Sequence, residues 1–194
     1  MVRTNPQRRH ALLDASIEVL AQEGARGLTF RAVDKEAGVP AGTASNYFAN
    51  RDDLLVQTGH RYYERLVPDE SVMAKLQGPR SRETVTELMT EVVGRVTRFR
   101  TGYLALLELR LEATRRPELQ ALLTERVRAD LDFNIRNHVD NGMPGDENTV
   151  VLLFLALNWL ILERLTLPGV FTEARAEELV RTAVERAIPA ADGA

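Results

Sequence analysis

The stretch "AGVPAGTASNYFANRDDLL", residues 37–55, decides how this chain is read. Ala37-Gly38-Val39 makes a small turn, and Pro40 opens a short polar segment expected to be helical to about Phe48. Thr43, Ser45 and Asn46 lie on that segment, and the aromatic pair Tyr47-Phe48 closes it. Just beyond, Asn50 is suited to cap a helix carrying Asp52 and Asp53 in its first turn, where the helix dipole favours acids. Just before, Thr29 is suited to cap another short helix, with Phe30, Val33 and Ala37 facing inward.

Working outward, Asn5-Pro6 reads as a cap followed by proline at the first helical position. Leu12, Ala15, Ser16, Val19 and Leu20 then repeat at helical spacing until Gly24 and Gly27. The amino-terminal part is thus one long and two short helices, the short pair joined at Gly38. That is the arithmetic of a helix-turn-helix, whose second short helix enters the DNA major groove. After about residue 66, "VPDESVMAKLQGPRS" (67–81) reads as a broken connection. Long helices are expected at 82–101, 103–115, 118–140, 147–166 and 173–188, punctuated by Gly102, Pro117, Gly142 to Gly145 and Pro168-Gly169. Period-2 alternation is almost lacking, so the expected class is all-α.

Composition bounds the chemistry. A hydrophobic share of 44% with 27% charged residues, over 194 residues, is ordinary for a globular protein. There is no cysteine, which excludes disulfides, thiolate metal sites and a cysteine nucleophile and fits a reducing, cytoplasmic setting. The opening "MVRTNPQRRH" lacks a signal-peptide core. The longest apolar run, "VVLLFLALNWLIL" (150–162), carries Asn158 and falls short of the roughly 20 residues of a membrane span. It is expected to be a buried helix. The net charge of −3 announces no partner, and residues 1–60 hold as many basic as acidic side chains. Arg3, Arg8 and Arg9 form one local excess, either a basic arm that reaches DNA or a solvated terminus.

Enzyme readings find little support. The histidines at 10, 60 and 138 have no metal-ligand spacing, and no nucleophile elbow, P-loop or dinucleotide fingerprint is present. Glu108 and Glu112 lack the Glu-x-x-His partners of a di-metal bundle. No catalytic residue, metal or cofactor is expected.

Residues 8–55 resemble the DNA-binding domain of the tetracycline-repressor (TetR) family. The matching landmarks are Ala15, Gly24, Thr29, Arg31, Val33, Ala37-Gly38-Val39, Gly42-Thr43, Tyr47-Phe48, Arg51 and Leu54-Leu55. The resemblance implies a three-helix helix-turn-helix domain (1–50), a connecting helix (51–66) and a helical regulatory, ligand-binding and dimerisation domain (67–194). It places the Tyr47 hydroxyl on a phosphate, the Phe48 ring in the core, and Arg51 on another phosphate. Thr29 and Arg31 suit phosphate oxygens, Gly42 permits close approach, and Thr43, Ser45 and Asn46 suit base edges. The chain departs from the family where Pro40-Ala41 replace a common Ser-Lys, Ser45 replaces Tyr, and Asp34 replaces a small Ala.

The second part carries two further expectations. Ala176, Leu179, Val180, Ala183, Val184, Ala187 and Ile188 form a stripe on the last helix, beside a helix apolar nearly all round. TetR-like dimers use their last two helices as a four-helix bundle, so the expected interface includes Leu155, Leu179, Val180, Ala183, Val184 and Ala187. The alternative is that these residues are internal core. Glu108 and Arg110 lie about 200° apart on one helix, so one of them should turn inward and be paired. With Phe99, Tyr103, Asn134, His138, Asn158 and Trp159 they form a candidate pocket, or else are packing residues.

The expected function is a cytoplasmic, homodimeric transcriptional repressor, released from a palindromic double-stranded operator by a small molecule, with no membrane partner. Alternatives are a regulator of the same fold controlled by a partner protein, an activator, or an all-helical enzyme or interaction module.

Overall fold

The computed structural model describes residues 5–66 and 79–188, and every regular element among them is helical. The elements are α1 (Pro6–Gly27), α2 (Phe30–Glu36), a 3-10 turn (Ala44–Asn46), α3 (Arg51–Arg65), α4 (Arg82–Arg98), α5 (Arg100–Ala113), α6 (Pro117–Asp140), α7 (Glu147–Thr166) and α8 (Glu173–Ala187). Arg3 and most of the connection expected at 67–81 lie outside the described residues.

The caps act as their chemistry dictates. Asn5, Thr29 and Asn50 accept backbone N–H groups of α1, α2 and α3. Asp146 and Thr149 form a reciprocal capping box at α7, and Thr172 caps α8. Gly102 does not punctuate. It lies buried inside α5, where a Cβ would sit 2.2 Å from the Phe99 ring, and the break falls at Phe99.

The expected third helix is shorter than its polar pattern suggested: between Pro40 and Phe48 only the 3-10 turn forms. Gly42 has φ +88, a left-handed conformation that halts regular winding before it starts. The Thr43 hydroxyl donates to the Pro40 carbonyl at 2.5 Å, while Ser45 Oγ and Asn46 Nδ2 donate to the Gly42 carbonyl at 2.8 and 3.1 Å. Short polar side chains that bond their own backbone compete with the helical ladder.

The chain divides into two compact units, Met1–Val67 with Phe99–Val127 and Pro68–Arg98 with Arg128–Ala194. In the first, Leu12, Ile17, Leu20, Val33, Phe48, Leu54 and Tyr62 share one core with Ala105, Leu106 and Leu109 of α5 and Leu119, Leu122 and Leu123 of α6. This grouping differs from a boundary at 50 or 66. Almost every position from Leu12 to Leu20 of α1 is buried, more faces than α2 and α3 cover, and α5 supplies the rest. In the second unit α4, α7 and α8 pack together around Val85, Met143, Leu153, Val184 and Ile188. Helix α7 is apolar nearly all round and, with a mean hydropathy of 1.7 over its most apolar stretch, is long and apolar enough by length and composition alone to cross a membrane. Its Leu153, Leu157, Leu160 and Ile161 are buried, but Leu152, Leu155 and Trp159 stand exposed.

Candidate nucleic-acid interface

The turn at 42–46 is held from beneath by Asp34. This residue of α2 is only 2% exposed, and its two carboxylate oxygens accept from Gly42 N and Ala44 N, each at 2.7 Å. A buried carboxylate is costly unless hydrogen-bonded, and here both oxygens are. A small apolar side chain at this place could not make these bonds. Ala44 beneath the turn is fully buried, while Gly42, Ser45 and Asn46 face solvent.

The far end is held by Arg9, whose Nη1 donates to the Tyr47 carbonyl at 3.1 Å and whose guanidinium lies 5.2 Å from the Phe48 ring centre. Arg9 therefore braces the turn, and Arg8 remains exposed. Phe48 is buried in the head's core, and Tyr47 is half-buried against it. Thr29 caps α2 by accepting Ala32 N at 3.1 Å, and Arg31 is exposed beside it.

Arg51 is directed inward. Its Nε donates to the Leu28 carbonyl at 3.2 Å, its Nη2 donates to the Ala25 carbonyl, and its Nη1 lies 3.8 Å from Glu112. Gly24 breaks α1 with φ +69, which presents the Ala25 N–H to Glu108 Oε2 at 2.9 Å. Of the pair on α5, Glu108 is the one turned inward, and Arg110 is exposed. Glu112 also pairs with Arg115 at 2.6 Å and with Arg116. Burial works to raise the Glu112 carboxyl, but the Arg115 hydrogen bond and the Arg116, Arg115 and Arg51 charges outweigh it and hold the group below its usual value. Two carboxylates of α5 thus grip the broken end of α1 and the start of α3. The sequence offered a partial signal for this joint in the i, i+3 and i, i+4 spacing of Glu112, Arg115 and Arg116.

The pocket candidates divide between the units. Phe99 stacks on Tyr62 at 6.0 Å with Arg65 4.2 Å over its ring, and Tyr103 is buried, with desolvation raising its phenol above the usual value. In the other unit, His138 Nε2 lies 3.0 Å from the Pro144 carbonyl, and Asn158 donates to the Phe154 carbonyl at 2.7 Å. Asn134 is exposed, and Trp159 is 65% exposed. A cavity of about 650 Å³ in that unit is lined by none of them, but by side chains such as Thr86, Thr90, Glu91, Arg98 and Glu177.

The candidate interface also divides. Val180 and Val184 are buried in the unit's own core, and Ala183 and Ala187 pack against it. Leu179 is half-buried, while Leu155 is 58% exposed. The stripe on α8 thus faces largely inward because α4 and α7 cover it. The apolar face left open is on α7.

Residues 12–58 match the family described as bacterial regulatory proteins, tetR family. Residues 80–190 match the tetracyclin repressor-like C-terminal domain. The HTH-type transcriptional regulator BetI of Rhizobium meliloti (strain 1021) is 31% identical over 139 residues, 70% of this chain and 68% of that protein. The multidrug binding protein EbrR, solved with imidazole, is 28% identical with TM-score 0.64, covering 97% of this chain and 94% of its own. A TetR-family member from Streptomyces coelicolor A3 is 29% identical with TM-score 0.70, covering 95% of this chain and 100% of its own. Together with the braced turn at 42–46, these matches establish that the chain belongs to the TetR family of helix-turn-helix transcriptional regulators.

Proposed function

We propose that the protein is a cytoplasmic homodimeric repressor that leaves a palindromic operator when a small organic molecule binds it. The observation that carries the reading is the solvent-facing turn at Gly42, Thr43, Ser45 and Asn46, held rigid by Asp34 and Arg9. A surface that must match base edges benefits from being fixed before it meets them. Thr29, Arg31 and Tyr47 flank it as the phosphate contacts, which set register without reading sequence. Arg51 acts from below by tying the start of α3 to the end of α1.

The open face of α7, with Leu152, Leu155 and Trp159, is the surface a second copy would cover. A two-fold dimer fits a palindrome whose half-sites lie about one DNA turn, roughly 34–36 Å, apart. The small-molecule part is supported by EbrR, which has been solved with imidazole, ethidium and proflavin. Release then follows from population shift: an effector that binds better to a conformation with mis-spaced reading heads lowers operator affinity.

The test is selection of bound DNA from a random duplex library by the full chain, with sizing of the complex. An enriched palindrome with half-sites one turn apart, holding an even number of chains, is the expected result. Absence of any enriched sequence at moderate salt overturns the reading.

A further inference from the structure

The hydrogen bonds within the recognition turn fix not only its shape but the polarity of what it shows to DNA. A serine or threonine hydroxyl has one proton to donate and two lone pairs to accept with. In a base contact it can serve either way, which is why such residues are usually uninformative about sequence. Here the choice is already made. The single hydroxyl proton of Thr43 goes to the Pro40 carbonyl at 2.5 Å, and that of Ser45 goes to the Gly42 carbonyl at 2.8 Å. Asp34 holds the N–H of Gly42, the residue whose carbonyl accepts from Ser45, so the buried carboxylate acts as a positioning residue for the reading surface. What Thr43 and Ser45 retain toward solvent is lone pairs. No Lys or Arg stands between Lys35 and Arg51, so this segment lacks the cationic forks that most often recognise guanine.

We infer that Thr43 and Ser45 read DNA as hydrogen-bond acceptors, so that these two side chains select base pairs by the exocyclic amino groups of adenine or cytosine rather than by purine N7 or guanine O6. The inference rests on the proposal that residues 42–46 enter the major groove. It adds a sign to each contact. Asn46 keeps Oδ1 as an acceptor and one free N–H, since only one amide proton is needed by the Gly42 carbonyl, so Asn46 alone could still donate.

The experiment uses the full chain and the duplex it enriches from a random library. Adenines of each half-site are replaced one at a time by purine, which lacks the N6 amino group, and cytosines by 2-pyrimidinone, which lacks the N4 amino group. Adenines and guanines are separately replaced by their 7-deaza analogues, which lack the N7 acceptor. Each duplex is titrated against the wild type, Ser45→Ala and Thr43→Val. The expected result is at least one amino deletion that weakens wild-type binding about 3- to 10-fold but has little further effect in one hydroxyl variant. The 7-deaza penalties should be the same in the wild type and both hydroxyl variants. If either hydroxyl couples to N7, the side chain donates and the inference falls while the DNA reader stands. If the hydroxyl variants couple to neither group, the inference also falls. If no duplex is enriched at all, the DNA-reading assignment fails and takes the inference with it. Unfolding curves for the two variants, both altered at the surface of the turn, confirm that each still folds.

Discussion

Asp34 shows how much one substitution can reorganise a reading surface. Replacing it with the alanine common in the family strands the N–H groups of Gly42 and Ala44, of which the second is fully buried. The buried Ala44 donor left without a partner costs about 1–3 kcal/mol, whereas the Gly42 N–H is exposed and can turn to water. Asp34→Ala should therefore lower the denaturant midpoint and weaken operator binding together, as read by urea unfolding and a DNA titration. Gly42→Ala separates backbone from contact. A Cβ there would meet nothing within 4 Å, so the cost is the left-handed φ alone, about 1–2 kcal/mol. Asp34 could be noticed in the sequence as a departure, but its role could not be derived there. Its partners lie eight and ten positions on, and only the bend at Gly42 brings them within reach.

Among the elements, the joint that α5 makes with α1 and α3 is the most informative. Arg51→Ala removes donors from the Ala25 and Leu28 carbonyls and should destabilise the fold by about 1–3 kcal/mol. The salt dependence of DNA binding tells whether Arg51 also touches phosphate. A log-log slope unchanged from wild type means it acts only from within, and a slope smaller by about one means it touches a phosphate as well. Glu112 gives the joint a pH dependence of known sign. Its folded carboxyl titrates below the ordinary 4.5, so its contribution is complete above that pH and is lost as pH falls through the lower folded value. The stability gap between wild type and Glu112→Gln should narrow on acidification from roughly pH 6 to roughly pH 3, as urea unfolding would show. The helices themselves were legible because their caps and periodicity are local. The joint was only partly legible: an inward, paired charge at Glu108 or Arg110 could be expected, but not its partner, because that depends on Gly24 turning one N–H toward a carboxylate on a distant helix.

At the scale of the whole molecule, the proposed dimer makes a clean prediction. Leu155 is 58% exposed, so Leu155→Asp should halve the mass in sedimentation while leaving helical content intact. An unchanged mass would remove α7 from the interface. The equivalent change at Ala183 is less clear-cut, since Ala183 packs against the protomer's own core. An apolar stripe identifies a buried face from sequence but not the element that buries it, which is why Val180 and Val184 read equally well as interface or interior. The shared core of the first unit bears on how such regulators can be recombined. Residues 12–58 carry the family's head, yet their apolar interior is completed by Ala105, Leu109, Leu119 and Leu122, which fall within 80–190. A chimera that grafts residues 1–66 alone onto a foreign sensor would inherit half of a jigsaw, whereas one that also transplants 99–127 would carry the reading head as a self-sufficient module. New pairings of operator and signal are therefore easiest to evolve where the α5 surface is preserved.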